Sequence, residues 1–262
     1  MISKWTMIPA RRPKAKLRLF CFPYAGSGAS IFRDWPALLP EDIELVGIQL
    51  PGRENRFSEP RLTRLDEVIE SLRDVVVDLS DRPFYFFGHS IGALIAFELT
   101  RALQREGLPR PSHLVVSGLA APQLPRRNEL LHRLDDDAFL ARIRDFNGTP
   151  KALLEDAELM KLFVPLLRDD FTICETYVCR DRTPVECPLI ALGGDADADV
   201  KLDELTAWSE LAGGHYEYLT FHGDHFFIHP HRGKVLEILR LIGARVYRAS
   251  HDMKLEHSPQ CC

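Results

Sequence analysis

The chain has 262 residues, of which 45% are apolar and 27% charged, and its formal net charge is -5. This length and composition exclude fibrous and wholly disordered classes and predict one globular domain with a large core. The acidic balance and scattered arginines exclude nucleic-acid binding, and no stretch reads as a secretory signal or a membrane span, so we expect a soluble, cytoplasmic protein.

Short apolar runs alternate with segments of helical periodicity along most of the chain. The pattern predicts strands at residues 17–22, 43–48, 84–87, 114–117, 189–192 and 216–221. Amphipathic helices are predicted at 64–79, 91–105, 202–211 and 233–242. This repeated order of strand and helix predicts an α/β fold, with a mostly parallel sheet covered on both faces.

The alternation stops between residues 124 and 183, where DDDAFLARIRDF, ALLEDAEL and LMKLFVPLLRDDFTICETYV have the pattern of consecutive helices. The NGTP sequence at 147–150 predicts a turn between the first two. Because a helical insertion cannot extend the sheet, we predict a lid at 124–183 over a core formed by 1–123 and 184–247. The polar segment 248–262 predicts a disordered tail. The apolar lid positions either line a cleft or pack the lid itself: Phe139, Leu140, Ile143, Leu159, Phe163, Leu166 and Leu167.

The sequence FFGHSIGA at 86–93 contains G-x-S-x-G between a predicted strand and a predicted helix. This is the context of a nucleophile elbow. Gly88 and Gly92 stand where side chains would collide, and Ser90 is expected in a strained conformation that presents its hydroxyl. The N–H of Ile91, at a helix N-terminus, favours an oxyanion. The alternative, a chance match of common residues, does not explain the strand-turn-helix context.

A second oxyanion donor is expected in the loop CFPYAGSG at 21–28. Its glycines allow close approach of the backbone to a substrate, and the N–H of Ala25 is the predicted donor. A phosphate-binding loop is the alternative, but neither G-x-G-x-x-G nor the Walker pattern is present.

A serine nucleophile needs a histidine base that an acid orients, and with this elbow the chain order is serine, acid, histidine. His225, in the sequence FHGDHFF after the last predicted strand, is the predicted base in preference to His222 and His229. A zinc site at His225 and His229 is not expected, because Pro230 prevents a shared helical face and H-E-x-x-H is absent.

Three aspartates alternate in GGDADADV at 193–200, after a predicted strand. The loop begins like an EF-hand, but counted from Asp195 the sixth residue is Val200 and the twelfth is Thr206, so calcium binding is not expected. The loop stands where the acid is needed. Its position alone leaves Asp195, Asp197 and Asp199 as candidates.

Together these motifs resemble the type II thioesterases, the editing hydrolases of non-ribosomal peptide and polyketide synthesis. The similar segments, from about residue 17 to 242, are FPYAGSG, LPGRENRFSEP, FFGHSIGA, NGTP, LLRDDFTICETY and GDHFFI. In that family the acid stands three positions before a valine and eleven before a tryptophan. Asp197 meets both conditions with Val200 and Trp208. Methionine is the common residue at the position of Ile91, but only the backbone N–H is needed there.

The resemblance implies an α/β-hydrolase with a helical lid that hydrolyses acyl thioesters on the phosphopantetheine arm of acyl and peptidyl carrier domains. It implies no metal or organic cofactor. The charge and hydropathy of the chain predict no nucleic-acid or membrane partner, and we expect a monomer. The expected site residues are the triad Ser90, Asp197 and His225, the oxyanion donors Ala25 and Ile91, and the pocket residues Tyr24, Phe139 and Phe163.

Acidic carrier domains would dock on basic side chains near the pocket mouth, with Arg126, Arg127 and Arg133 as candidates. Arg53 and Arg56 are expected to stabilise their own loop. Because a fold does not determine a substrate, a medium-chain fatty acyl-carrier thioesterase, a general carboxylesterase and a catalytically silent synthase partner stay as alternatives.

Overall fold

The computed structural model of the protein describes residues 3–127, 129–146, 148 and 155–256, with side chains described as far as residue 248. These residues form a seven-stranded sheet. Its strands are β1 (Thr6–Met7), β2 (Leu17–Phe22), β3 (Ile43–Ile48), β4 (Phe84–His89), β5 (Leu114–Ser117), β6 (Leu189–Gly194) and β7 (Tyr216–Phe221). In space their order is β1-β3-β2-β4-β5-β6-β7, and every pairing is parallel except that of β1 with β3.

Helices cover both faces of this sheet. They are α1 (Leu65–Asp78), α2 (Ile91–Arg105), α3 (Asp136–Asp145), α4 (Ala157–Thr176), α5 (Leu202–Thr206) and α6 (Arg232–Glu256). Because successive strand residues point to opposite faces, β2 contributes Phe20 and Phe22 to the core under α1 and α2. Leu19 and Cys21 pack on the other face, under α6. Burial on both faces explains why β2 and β4 have no polar alternation.

The predicted strands are confirmed, and β4 and β6 each extend two residues beyond the predicted end. The sequence missed β1, which pairs only two residues at the edge of the sheet. The predicted helix 202–211 divides into α5 and a 3-10 turn at Ala207–Leu211.

The C-terminal end differs from the prediction. The helix α6 continues to Glu256, so residues 248–256 are helical where a disordered tail was expected, and residues 257–262 lie outside the described part. Residues 249–256 contain neither glycine nor proline, and their Met, Lys, Leu and Glu residues favour propagation of a helix that is already formed.

The lid helices α3 and α4 lie between β5 and β6 in the chain, and they share a small apolar core of their own. Asp135 and Asp156 cap the two N-termini by accepting backbone N–H groups. Of the predicted middle helix at 152–159, residues 152–154 lie outside the described residues and Ala157 begins α4. In the predicted turn at 147–150, only Gly148 is described.

No helix within the described ranges is long and apolar enough to cross a membrane.

Candidate active site

The predicted site residues follow four strands at one edge of the sheet. Ala25 follows β2, Ser90 follows β4, Asp197 follows β6 and His225 follows β7. The pairs β2 with β4 and β6 with β7 are neighbours and parallel. Because the carboxyl ends of parallel strands meet at the same edge, residues far apart in the chain lie close together there.

Ser90 lies in a strained turn between β4 and α2. Its φ is 55° and its ψ is -126°, a conformation that residues with side chains rarely adopt. A Cβ atom at Gly88 would lie 2.2 Å from the carbonyl oxygen of Gly92, and one at Gly92 would lie 2.2 Å from that of Phe22. Both obstacles are backbone atoms, so the two glycines are required for the turn that presents the Ser90 hydroxyl.

Asp197 and His225 form a buried pair. Nδ1 of His225 lies 2.8 Å from Oδ2 of Asp197, and the aspartate side chain has no exposed surface. The other carboxylate oxygen accepts the backbone N–H groups of Asp199 and Val200, at 2.9 and 3.2 Å. These contacts orient the carboxylate, which in turn engages Nδ1 of His225 and leaves Nε2 available as a base.

The neighbouring aspartates have other contacts. Asp195 is exposed and accepts the N–H of Gly223 at 2.9 Å; this bond, helped by His222, lowers the pKa of its carboxyl. Asp199 is half-buried and lines the cavity described below, and burial, together with the charge of Asp197, raises its pKa. Neither aspartate caps α5, whose N-cap is Lys201.

The two competing histidines have different surroundings. The side chain of His222 is 90% exposed and faces Asp195. Nε2 of His229 lies 3.0 Å from the hydroxyl of Tyr24; burial lowers the pKa of His229 and raises that of Tyr24 to about 12. Among the described contacts of Asp197, only His225 supplies an imidazole.

The predicted oxyanion donors lie on adjacent loops, after β2 and β4. Ile91 is the first residue of α2, where backbone N–H groups have no partner within the helix. No acceptor in the described part of the chain takes the N–H of Ala25 or that of Ile91. Both groups are therefore available to an oxygen atom of a substrate.

A cavity of about 900 Å³ opens between the lid and this edge of the sheet. Ser90, His225, Tyr24 and Ala25 line it. Its lid wall is mainly apolar and includes Ile143, Phe146, Phe163, Leu167 and Phe171. The volume and lining suit an acyl chain.

Phe139 does not line this cavity. It is fully buried in the lid core, with its ring edge-on to that of Phe171 at 5.8 Å. Phe171 lies between Phe139 and the cavity and is itself on the wall. Helical periodicity shows which lid positions are apolar. It does not show whether an apolar side chain packs in the lid core or lines the cavity, so the sequence could not separate Phe139 from Phe171.

The three candidate docking arginines differ in their position relative to the cavity. Arg126 and Arg127 line the cavity, whereas Arg133 is exposed and does not. Arg126 donates to the carbonyl of Cys174 at 2.7 Å, and Arg127 forms two bonds with Glu204, at 2.9 and 3.0 Å.

The two arginines of the LPGRENR loop also differ. Arg56 stays local, donating to the carbonyl of Gln49 and pairing with Glu59, as expected. Arg53 reaches the lid and pairs with Asp170, a contact that sequence reasoning missed. The available signal was an aspartate among the apolar positions Leu166 and Ile173 of one helical face.

His89, the residue before Ser90, is fully buried under the site. Its Nδ1 atom lies 2.9 Å from the hydroxyl of Ser117, and its ring centroid lies 5.1 Å from that of His225. Burial, assisted by the nearby His225, lowers its pKa well below the usual value.

This histidine makes stability dependent on pH. Below about pH 6.5 the unfolded chain binds a proton at His89 while the folded chain does not. The free energy of unfolding is therefore expected to decrease as the pH is lowered below about 6.5, by up to about 1.4 kcal/mol per pH unit for this one group. Urea denaturation at pH 7.5, 6.5 and 5.5 measures the slope. His89→Asn should make it shallower, and an unchanged slope would show that His89 contributes nothing.

Known proteins resemble this chain in both sequence and fold. The family model described as a thioesterase domain matches residues 17–243. The gramicidin S biosynthesis protein GrsT of Aneurinibacillus migulanus is 42% identical over 238 residues, which are 91% of this chain and 93% of that protein. Thioesterase PikA5 of Streptomyces venezuelae is 39% identical over 222 residues, 82% of this chain and 77% of its own.

A solved structure agrees with these matches. The type II thioesterase BorB from the borrelidin biosynthetic cluster has a TM-score of 0.82 and 34% identity to this chain, covering 90% of it and 96% of the BorB chain. The similarity therefore includes the lid as well as the sheet.

Proposed function

The chain belongs to the thioesterase family, and on that basis we propose that it is a type II thioesterase of non-ribosomal peptide or polyketide synthesis. It has the α/β-hydrolase fold, and it removes aberrant or stalled acyl groups from the phosphopantetheine arm of acyl and peptidyl carrier domains. One observation carries the proposal: the strained Ser90 and His225, which pairs with the buried Asp197, line the same lid-covered cavity.

The first half of the reaction forms an acyl-enzyme. Nε2 of His225 takes the proton of the Ser90 hydroxyl as Oγ attacks the thioester carbonyl carbon. The N–H groups of Ala25 and Ile91 bind the resulting oxyanion. Collapse breaks the carbon–sulfur bond, and the imidazolium of His225 returns its proton to the departing pantetheine thiolate. Asp197 stabilises the imidazolium without becoming protonated.

The second half releases the acid. Nε2 of His225 takes a proton from a water molecule, which attacks the ester carbonyl of the acyl-enzyme while the same two N–H groups bind the oxyanion. Collapse then breaks the carbon–oxygen bond to Ser90, and the proton on His225 passes to its Oγ atom. The products are the free carboxylic acid and the carrier thiol.

The carrier arm enters by the side of the cavity that Arg126 and Arg127 line. Arg127 is already paired with Glu204, so among the described contacts Arg126 has the less compensated charge for an acidic carrier or the phosphate of the arm. The proposed active form is a monomer. Light scattering during turnover measures that state.

The substrate class is tested by giving the enzyme one acyl group in two linkages. An acylated, phosphopantetheine-loaded carrier domain should be hydrolysed with a kcat/KM at least about tenfold above that for the 4-nitrophenyl ester, since the carrier and arm add binding contacts. Release of free acid is followed by mass spectrometry. Higher efficiency on the oxygen ester would favour the general carboxylesterase.

A second comparison separates the editing role from fatty acid synthesis. Short acyl and aminoacyl groups on a peptidyl carrier domain are compared with a decanoyl group on a fatty acid carrier protein. An editing enzyme accepts the short groups. Strong preference for the decanoyl substrate would favour the medium-chain thioesterase instead.

A further inference from the structure

A buried ion pair connects the lid to the core. Nη1 and Nη2 of Arg53 donate to the two carboxylate oxygens of Asp170, each at 2.8 Å. Arg53 lies in the loop after β3 and Asp170 lies on the lid helix α4, and their side chains are 6% and 1% exposed. Two charges buried this deeply are costly unless hydrogen bonds satisfy them, so the remaining partners of the pair are informative.

Those partners belong to the loop that carries the predicted oxyanion donor. Oδ2 of Asp170 accepts the backbone N–H of Gly26 at 2.7 Å. Nη1 of Arg53 donates to the carbonyl oxygen of Ser27 at 3.1 Å. The pair therefore holds the N–H of Gly26 and the carbonyl of Ser27, the two residues that follow Ala25.

The lid also limits the conformation of this loop by packing. Gly26 has a φ of 74°, and a Cβ atom there would lie 2.6 Å from Cδ2 of Leu167 and 2.7 Å from Cζ of Phe163, both on α4. Because a peptide unit is planar, fixing the Gly26 N–H also fixes the carbonyl of Ala25, and only the dihedral angles of Ala25 remain to orient its own N–H. Contacts from α4 thus limit the directions in which that N–H can point.

We propose that Asp170 and Arg53 are positioning residues, which hold the Ala25 N–H toward the oxyanion and make the oxyanion hole depend on the placement of the lid helix. This inference rests on the proposed function, because it takes Ala25 as an oxyanion donor. Neither residue lines the cavity that Ser90 and His225 line. Both act through the loop, and mainly in the transition state, when the oxyanion forms.

The neighbouring residue supplies a matched control. Asp169 pairs with Arg61, so it too ties α4 to the core, but its side chain is a quarter exposed and makes no contact with the loop at 24–27 among the described hydrogen bonds. Asp169→Asn and Asp170→Asn remove the same charge from adjacent positions. Both carboxylate oxygens of Asp170 accept hydrogen bonds, from Arg53 and from the Gly26 N–H, so the amide of Asp170→Asn puts an NH₂ group against one of these donors. Asp169→Asn leaves this support unchanged.

The test measures kcat and KM for both variants on an acylated carrier domain. Asp170→Asn is expected to lower kcat by about 10- to 100-fold, less than complete loss of an oxyanion donor, with KM within about threefold. Asp169→Asn should stay within about threefold in both. Equal effects of the two variants, or a change confined to KM, would show that the pair only anchors the lid.

A substrate-independent measurement separates this inference from the proposed function. The second-order rate of Ser90 modification by a fluorophosphonate also depends on stabilising a developing oxyanion. It should fall about tenfold or more in Asp170→Asn and stay unchanged in Asp169→Asn. If wild-type protein does not hydrolyse the carrier thioester, the proposed function fails, while this rate still decides the role of Asp170.

Folding is checked by thermal unfolding of each variant. Asp170→Asn leaves the buried Arg53 charge without its anion, so the double variant Arg53→Gln/Asp170→Asn removes both charges and serves if the single variant does not fold. It should show the same loss in kcat and modification rate. A folded variant with wild-type values of both would overturn the proposal.

Discussion

Ser90→Ala is expected to lower kcat on an acylated carrier domain by about 10⁵-fold, leaving only the residual rate of a site that still binds substrate and polarises its carbonyl. Without Oγ no acyl-enzyme forms, and the base at His225 has only water to activate. Release of free acid, followed by mass spectrometry over hours, measures the residual rate. Ser71→Ala, at a half-buried position on α1 that does not line the cavity, is the matched control and should keep the wild-type rate.

The same variant identifies the nucleophile directly. A fluorophosphonate should add one phosphonyl group to the wild-type protein, at the peptide that contains Ser90, and none to Ser90→Ala. Equal turnover by the variant, or modification elsewhere with unchanged activity, would remove Ser90 from the proposed mechanism. No modification of the folded wild-type protein would favour the catalytically silent partner.

Asp197→Asn is expected to lower kcat by about 10³- to 10⁴-fold. The carboxylate accepts the proton on Nδ1 of His225 and stabilises the imidazolium, whereas an amide can present its NH₂ group and favour the other tautomer, with the proton on Nε2. That tautomer cannot accept the proton of Ser90. The loss should appear in kcat for both carrier-bound and small thioesters, because it affects the base and not substrate binding.

The alternating aspartates provide the controls for this variant. Asp195→Asn keeps an oxygen acceptor for the N–H of Gly223, and Asp199→Asn changes a residue of the cavity wall while the bond between Asp197 and His225 stays in place. Both should remain within about threefold of wild-type kcat. A larger loss at either position than at Asp197 would move the role of the acid to that residue.

The fold could be predicted in detail because its signals are local. Each central strand is an apolar run buried on both faces, and α1 shows one apolar stripe, so neither requires knowledge of distant contacts. The elbow was predictable for the same reason, since Gly88, Ser90 and Gly92 lie within five residues and their conformation depends on one turn. β1 was missed because a two-residue edge strand has no period to detect.

The sequence by itself determined the α/β architecture. It also predicted a lid insertion and a triad, and the choice of Asp197 among three aspartates came from the family resemblance. Only the tertiary structure decided which lid residues face the cavity and how the lid meets the core. Phe171 lines the cavity, whereas the predicted Phe139 packs in the lid core. Arg53 and Asp170 stand 117 residues apart, and neither has a local pattern that names its partner. Periodicity records which side of an element is buried, whereas a buried ion pair depends on the packing of two elements against each other.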